Sequence, residues 1–288
     1  MRTLQGRFLL RPSTRLNQII AGCLGRAQKR HGMAIHGCVF LSNHFHLLLS
    51  PSDAHQLARF MNHFASKLAR EVARLYGWRE HVWGRRYQAI PVSDEEPAQV
   101  GRLRYLLAHG CKESLVERPE DWPGVNCARA LATGETLCGV WQDRSAEAVA
   151  RHEGREIDPS RFAVAEEVRL SALPCWAPLS PAEYRQRVQQ LLEEITHHYA
   201  AERARQGIRC LGARWVLRQH PHSRPKILPR RHAPRIHAFT SEARRAFQEA
   251  YRAFVHTFRL AARRLRAGDL AVRFPPWSFP PPLPLPTG

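Results

Sequence analysis

Apolar positions recur at helical spacing from Thr14 to about Arg30, where Leu16, Ile19, Ile20, Cys23 and Leu24 share one face and Thr14 is the expected N-cap. A short apolar run, Gly6–Arg11, precedes this helix, and His31-Gly32 stops it. Met33–Leu41 is β-rich, Ser42-Asn43 intervenes, and His44–Leu49 reads as a second strand ended by Ser50-Pro51. A second helix is predicted from about His55 to Tyr76, with Leu57, Phe60, Met61, Phe64, Leu68, Val72 and Leu75 on its buried side. Tyr87–Val92 is a strand candidate. Pro97 to about Val116 reads as a third helix, closed by the Pro-rich turn Arg118–Gly124. Ala128 to Pro178 is weakly periodic and is expected to be an irregular connector. Two long basic helices follow, roughly Pro181–Gln206 and Thr240–Ala267, separated by the Pro, His and Arg-rich stretch His220–His237. Phe274–Pro286 is proline-rich and expected to be extended or disordered.

The 44% hydrophobic content is enough for a core and excludes wholesale disorder. At about 150 residues per domain, 288 residues suggest one large domain or two small ones. Charge changes the picture more: 44 Lys and Arg face 25 Asp and Glu, a formal charge of +19. Such an excess selects polyanions as partners, nucleic acid first, and argues against a small cationic substrate. No apolar run approaches the about 20 residues of a membrane span, and no secretory signal opens the chain. Seven scattered cysteines without a CxxC read as reduced thiols of a cytoplasmic protein.

Candidate chemistry gathers in Asn43-His44-Phe45-His46-Leu47-Leu48-Leu49. Alternate side chains of a strand share a face, so His44 and His46 point the same way and can chelate one divalent ion. Taken alone, so short a pattern reads first as two half-buried, hydrogen-bonded histidines. On the third helix, Leu103, Leu106, Leu107 and Gly110 form the packing face. Tyr105, His109 and Lys112 follow at i, i+4 and i+7 on the neighbouring stripe. If that stripe faces the strand, three imidazoles and a phenol converge.

Four segments together carry a resemblance. Leu41–Leu48 resembles the "MPNHxHLL" segment of single-tyrosine HUH transposases, in particular the REP-associated tyrosine transposases. Val82–Tyr87 is similar to that family's Trp- and Arg-rich entry to its next strand. Arg104–His109 resembles its "RYIxxNP" helix, and Leu115–Gly124 its "LV..P.DW.WSS" exit. The order and spacings agree over about residues 1–127.

The resemblance implies an α+β fold, a ferredoxin-like antiparallel sheet with packed helices (the HUH fold). The segments outside it are then a connector (128–180), a basic, mainly helical extension (181–273) and a proline-rich tail (274–288). It also implies a metal-dependent DNA strand transferase that works through a 5′-phosphotyrosine link. His44 and His46 match the family's metal ligands and Tyr105 its nucleophile. The third ligand, usually Asn or Gln four residues after the tyrosine, is here His109. The implied cofactor is a divalent ion, Mg²⁺ or Mn²⁺, with no nucleotide cofactor. The implied partner is single-stranded or hairpin DNA at the nucleoid, bound by a monomer or homodimer. Arg85, Arg86, Lys112, Arg214, Arg218, Arg230 and Arg231 are the expected DNA contacts. Two departures stand out. His109-Gly110 replaces the family's Asn-Pro. The family's strand before the part similar to Thr3–Pro12 has no counterpart here: either the true start lies upstream of Met1, or the domain lacks one sheet strand and a neighbouring strand is expected to expose its backbone. The alternative is a DNA-binding protein of the same fold that has lost the chemistry.

Overall fold

The computed structural model describes residues 1–226 and 233–283. Arg230, Arg231 and the end of the proline-rich tail, 284–288, lie outside the described residues.

Helix α1 (Thr14–His31) starts one residue earlier than expected, because Ser13 rather than Thr14 is the cap: its hydroxyl accepts from the Leu16 amide at 3.2 Å. Gly32 closes the helix at φ 60°, a left-handed conformation that glycine adopts without strain. Strands β1 (Ala34–Leu41) and β2 (His44–Ser50) form an antiparallel hairpin in which Leu41 faces His44 and Val39 faces His46. Helix α2 (Ala54–Tyr76), capped by Asp53, packs on α1 and on one face of the hairpin. Phe40, Phe45 and Phe64 meet there with ring centroids 5.1–6.0 Å apart. Burying Phe45 on that side turns His44 and His46 to the other, since strand side chains alternate.

The opposite face is covered by α3 (Glu96–Leu107) and α4 (His109–Lys112). Gly37 on β1 allows the approach, for a Cβ there would stand 3.3 Å from Leu103 and 3.5 Å from Leu106. The single helix expected over Pro97–Val116 is interrupted at Ala108 and ends at Lys112. Leu115 and Val116 fold back to donate to the Gly110 carbonyl, and Ser114 turns the chain at φ 51°.

Residues 1–3 lie along the outer edge of β2: Thr3 donates to the Asn43 carbonyl at 2.9 Å and Phe45 to the Met1 carbonyl at 3.0 Å. The edge expected to be bare is therefore paired at Asn43 and Phe45. Trp83 bridges Thr3 beyond it, and Asn126 bridges Val39 on the far side of β1. Tyr87–Val92 is not a strand. Only Val92 bridges, to His237, and Pro91 withholds the donor a ladder needs.

The stretch expected to be irregular is structured: α5 (Ala128–Thr133), β3 (Leu137–Gln142), α6 (Arg144–His152) and β4 (Ala163–Val168). The antiparallel pair β3–β4, joined through α6, packs directly on α1. A Cβ on Gly22 would lie 2.2 Å from the Val140 carbonyl carbon, and one on Gly139 2.3 Å from the Gly22 nitrogen. Backbone thus rests on backbone. Arg144 ties α6 to α2 through both carboxylate oxygens of the buried Glu71, at 2.9 and 2.6 Å.

Helix α7 (Pro181–Gln206) begins with a Ser180–Glu183 capping box and buries Val188, Leu191, Leu192 and Ile195 against α5, α3 and α4. The chain then crosses back through α8 (Ala213–Arg218). Leu211 and Gly212 donate to the Ser114 and Leu115 carbonyls, Ser42 donates to Gln219, and Arg7 and Arg11 donate to the carbonyls of His222 and Leu217. Helix α9 (Ser241–Arg266) follows, its entry held by Glu95, whose carboxylate accepts from the Phe239 and Thr240 amides. The extension is laced onto the first 127 residues, so the fold is α+β with a wrapped, mainly helical C-terminal part. No described helix is long and apolar enough to cross a membrane.

Candidate metal centre and its tyrosine

β2 and the α3–α4 turn bring His44, His46 and His109 together, with one ring nitrogen from each within 4.8 Å of the others. The Nε2 atoms of His44 and His109 are 3.0 Å apart. Tyr105 completes the group: its ring centroid is 5.7 Å from that of His46 and 5.3 Å from that of His109, edge-on to both. The helix interruption at Ala108 preserves the i, i+4 relation, since Ala108 still donates to the Arg104 carbonyl and accepts from the Lys112 amide.

Asn43 sets the orientation of His44. Its Nδ2 donates to the Gly6 carbonyl at 3.1 Å, which leaves Oδ1 to accept from His44 Nδ1 at 2.7 Å. Nδ1 therefore carries the proton and Nε2 presents a lone pair to the cluster. All three imidazoles are held neutral. Burial, then the His109 and His46 charges, pushes His44 well below its ordinary value. Burial and the His109 charge lower His46 to about 3, and burial with Lys112 and Arg2 lowers His109 to about 4. The neutral ring is the form that ligates a metal. His109 Nδ1 is buried without a hydrogen-bond partner, and two Nε2 atoms that both want a proton or a cation face each other. These residues fit a divalent ion. Three imidazole nitrogens without a carboxylate suit borderline metals better than Mg²⁺, which prefers oxygen.

Cations surround the phenol. Lys112 Nζ lies 4.9 Å from the Tyr105 ring centroid and the Arg102 guanidinium 5.2 Å from it. Arg2, which bridges His44 on the neighbouring segment, adds positive charge on the histidine side of the site. Sequence reasoning passed over Asn43, Arg2 and Arg102. Arg102 was detectable, because it stands three residues before Tyr105 on the same helix face. The other expected DNA contacts are elsewhere. Arg85 and Arg86 are exposed between α2 and α3, with Arg86 over the Tyr87 ring at 5.6 Å. Arg214 and Arg218 are exposed on α8, with Arg218 5.6 Å from the Trp215 ring.

Residues 11–105 match the family model described as Transposase IS200 like. That span runs from the approach to α1 through the hairpin and α2 to Tyr105, and includes His44 and His46. His109 lies just beyond it. The match supports a transposase-type, DNA-processing domain over these residues, with a histidine cluster of the kind that binds metal. No curated protein and no solved structure matches the chain.

Proposed function

We propose that the protein is a single-tyrosine DNA strand transferase of the REP-associated type, acting on single-stranded or hairpin DNA with Tyr105 as nucleophile. The supporting observation is the convergence of His44, His46 and His109 beside the Tyr105 ring, from elements far apart in sequence. Tyr105 Oη attacks phosphorus, an O–P bond forms, and the bond to the 3′ oxygen breaks. The phenol loses a proton and the released 3′ oxygen gains one, so the step is proton-neutral and stores the bond as a 5′-phosphotyrosine for rejoining. Lys112 and Arg102 hold the phosphate charge next to the ring. His44, His46 and His109 would hold a divalent ion, which would supply Lewis-acid stabilisation of the charge that builds on the phosphoryl group. Asn43 keeps the His44 lone pair aimed at it. Nothing in this cycle calls for a nucleotide cofactor. Arg85, Arg86, Arg214 and Arg218 are outlying backbone contacts, and the protein works in the cytoplasm on nucleoid DNA, as a monomer or homodimer.

A second reading is a DNA-binding protein of the same fold without chemistry. It is favoured by His109-Gly110 standing where the resembled family has Asn-Pro, next to the interruption at Ala108. One assay separates the two. The protein is incubated with hairpin-bearing single-stranded DNA and Mn²⁺ or Mg²⁺, then resolved under denaturing conditions. A covalent adduct, stronger with Mn²⁺ and lost in Tyr105→Phe, supports the enzyme. DNA binding without any adduct supports the second reading.

A further inference from the structure

Helix α9 carries a feature that the Tyr105 site does not use. Phe247, Tyr251, Phe254 and Phe258 follow at spacings of four, three and four, and their rings line up as a ladder. Successive centroids are 6.1, 6.4 and 6.5 Å apart, with planes only 17–21° from parallel. Phe274 closes the C-terminal end edge-on, 5.4 Å from Phe258. The ladder is not core: Tyr251 is 40% exposed, and none of the four rings is buried. Arg245, Arg252, Arg259 and Arg266 recur every seven residues, so they form a row parallel to the rings. Arg235 lays its guanidinium over Tyr251 at 5.5 Å.

We propose that α9 is a second nucleic-acid surface, a stacking platform for single-stranded DNA. Its rings take the bases and its arginine row takes the phosphates. Part-exposed rings with a basic row running along the same helix, about a third of a turn away, are what sequence-tolerant single-strand binding requires, because every base has a π-face. Charge decides the occupant. α9 holds seven arginines against two glutamates, and Glu242 is already paired with Arg245. A second copy of the helix would set two strongly cationic rods side by side, whereas a polyanion neutralises the row. Position agrees. The entry to α9 is hydrogen-bonded to Glu95 at the start of α3, ten residues from Tyr105, or about 15 Å along that helix. A strand held near Tyr105 can continue onto the ladder. The inference does not depend on chemistry at Tyr105.

The test uses the full chain in a Tyr105→Phe background, which removes cleavage from the measurement. Fluorescence anisotropy follows binding of a labelled 20-nucleotide oligo(dT) across a salt series. Replacing Phe247, Tyr251 and Phe254 with Leu keeps apolar bulk and helix propensity but removes the π-faces, and affinity should fall on the order of 100-fold. Arg252→Gln with Arg259→Gln should lower the slope of log affinity against log salt by about 1.4. An unchanged affinity in the leucine variant overturns the proposal, as does an unchanged salt slope in the arginine variant. Sedimentation provides the third arm: a parent dimer that falls to monomer when Tyr251 and Phe254 are replaced with Glu would make the face a self-association seam and overturn the proposal.

Discussion

Acidification should destabilise the metal-free protein through its own metal-binding residues. His46 and His109 are held at about 3 and about 4, mainly by burial, against about 6.5 for a free imidazole. The folded-state values are depressed. Stability is therefore complete above about pH 6.5 and is lost as pH falls towards 4, where the unfolded chain takes up protons that the folded cluster refuses. At pH 5 each residue costs about 2 kcal/mol, so the pair costs about 4, and His44 adds to the loss in the same direction. The measurement is urea unfolding after EDTA treatment at pH 7.5 and pH 5. His36 and His63 are also depressed by burial, so the wild type is compared with a triple variant carrying Gln at 44, 46 and 109, in which their contributions cancel. The wild type should lose about 4 kcal/mol more than the variant over this interval. Equal losses would refute the reasoning, because the cluster would then titrate like solvated histidine.

Three other outcomes follow from the contacts. Gly22→Ala drives a methyl into the Val140 carbonyl, so it should cost roughly 1–3 kcal/mol in denaturant unfolding and open β3–β4 to limited proteolysis. Arg144→Met leaves the buried Glu71 with Arg74 alone, and should cost about 3 kcal/mol at pH 7. Burial pushes the Glu71 carboxyl up, but Arg144 and Arg74 outweigh it and hold the group below its usual range, so this difference from wild type should shrink as acid protonates Glu71. Arg102→Gln and Lys112→Gln should each slow adduct formation on the order of 10- to 100-fold while the thermal midpoint stays within a degree or two.

What the sequence made legible was local. The α1 and α2 faces, the Gly32 stop and the hairpin follow from apolar period and turn chemistry, and they fix the direction of His44 and His46 once Phe45 is buried. Tyr105 and His109 were readable as an i, i+4 pair. Their meeting with the strand depended on how α3 packs, which Gly37 permits and no periodicity announces. The 128–180 stretch misled for a related reason. β3 and β4 dock through backbone contacts at Gly22, Gly25 and Gly139, so they need no apolar stripe to betray them. Pro91 and the Gly110 fold-back overruled a strand and a long helix that propensity favoured. The return of residues 207–224 across Ser42 and Ser114 rests on scattered long-range hydrogen bonds and one buried side chain, Val216, which leave no pattern in sequence.

The most direct test of the central claim is the site of covalent attachment. After reaction with hairpin DNA and Mn²⁺, the adduct is digested with nuclease and trypsin, which cuts after Arg104 and Lys112 and so isolates the peptide Tyr105–Lys112. Mass spectrometry should find that peptide carrying a 5′-linked nucleotide on Tyr105. The modified peptide should be missing from Tyr105→Phe and from His46→Ala. A nucleotide on Tyr87 or any other residue, or an adduct that survives Tyr105→Phe, would contradict the account.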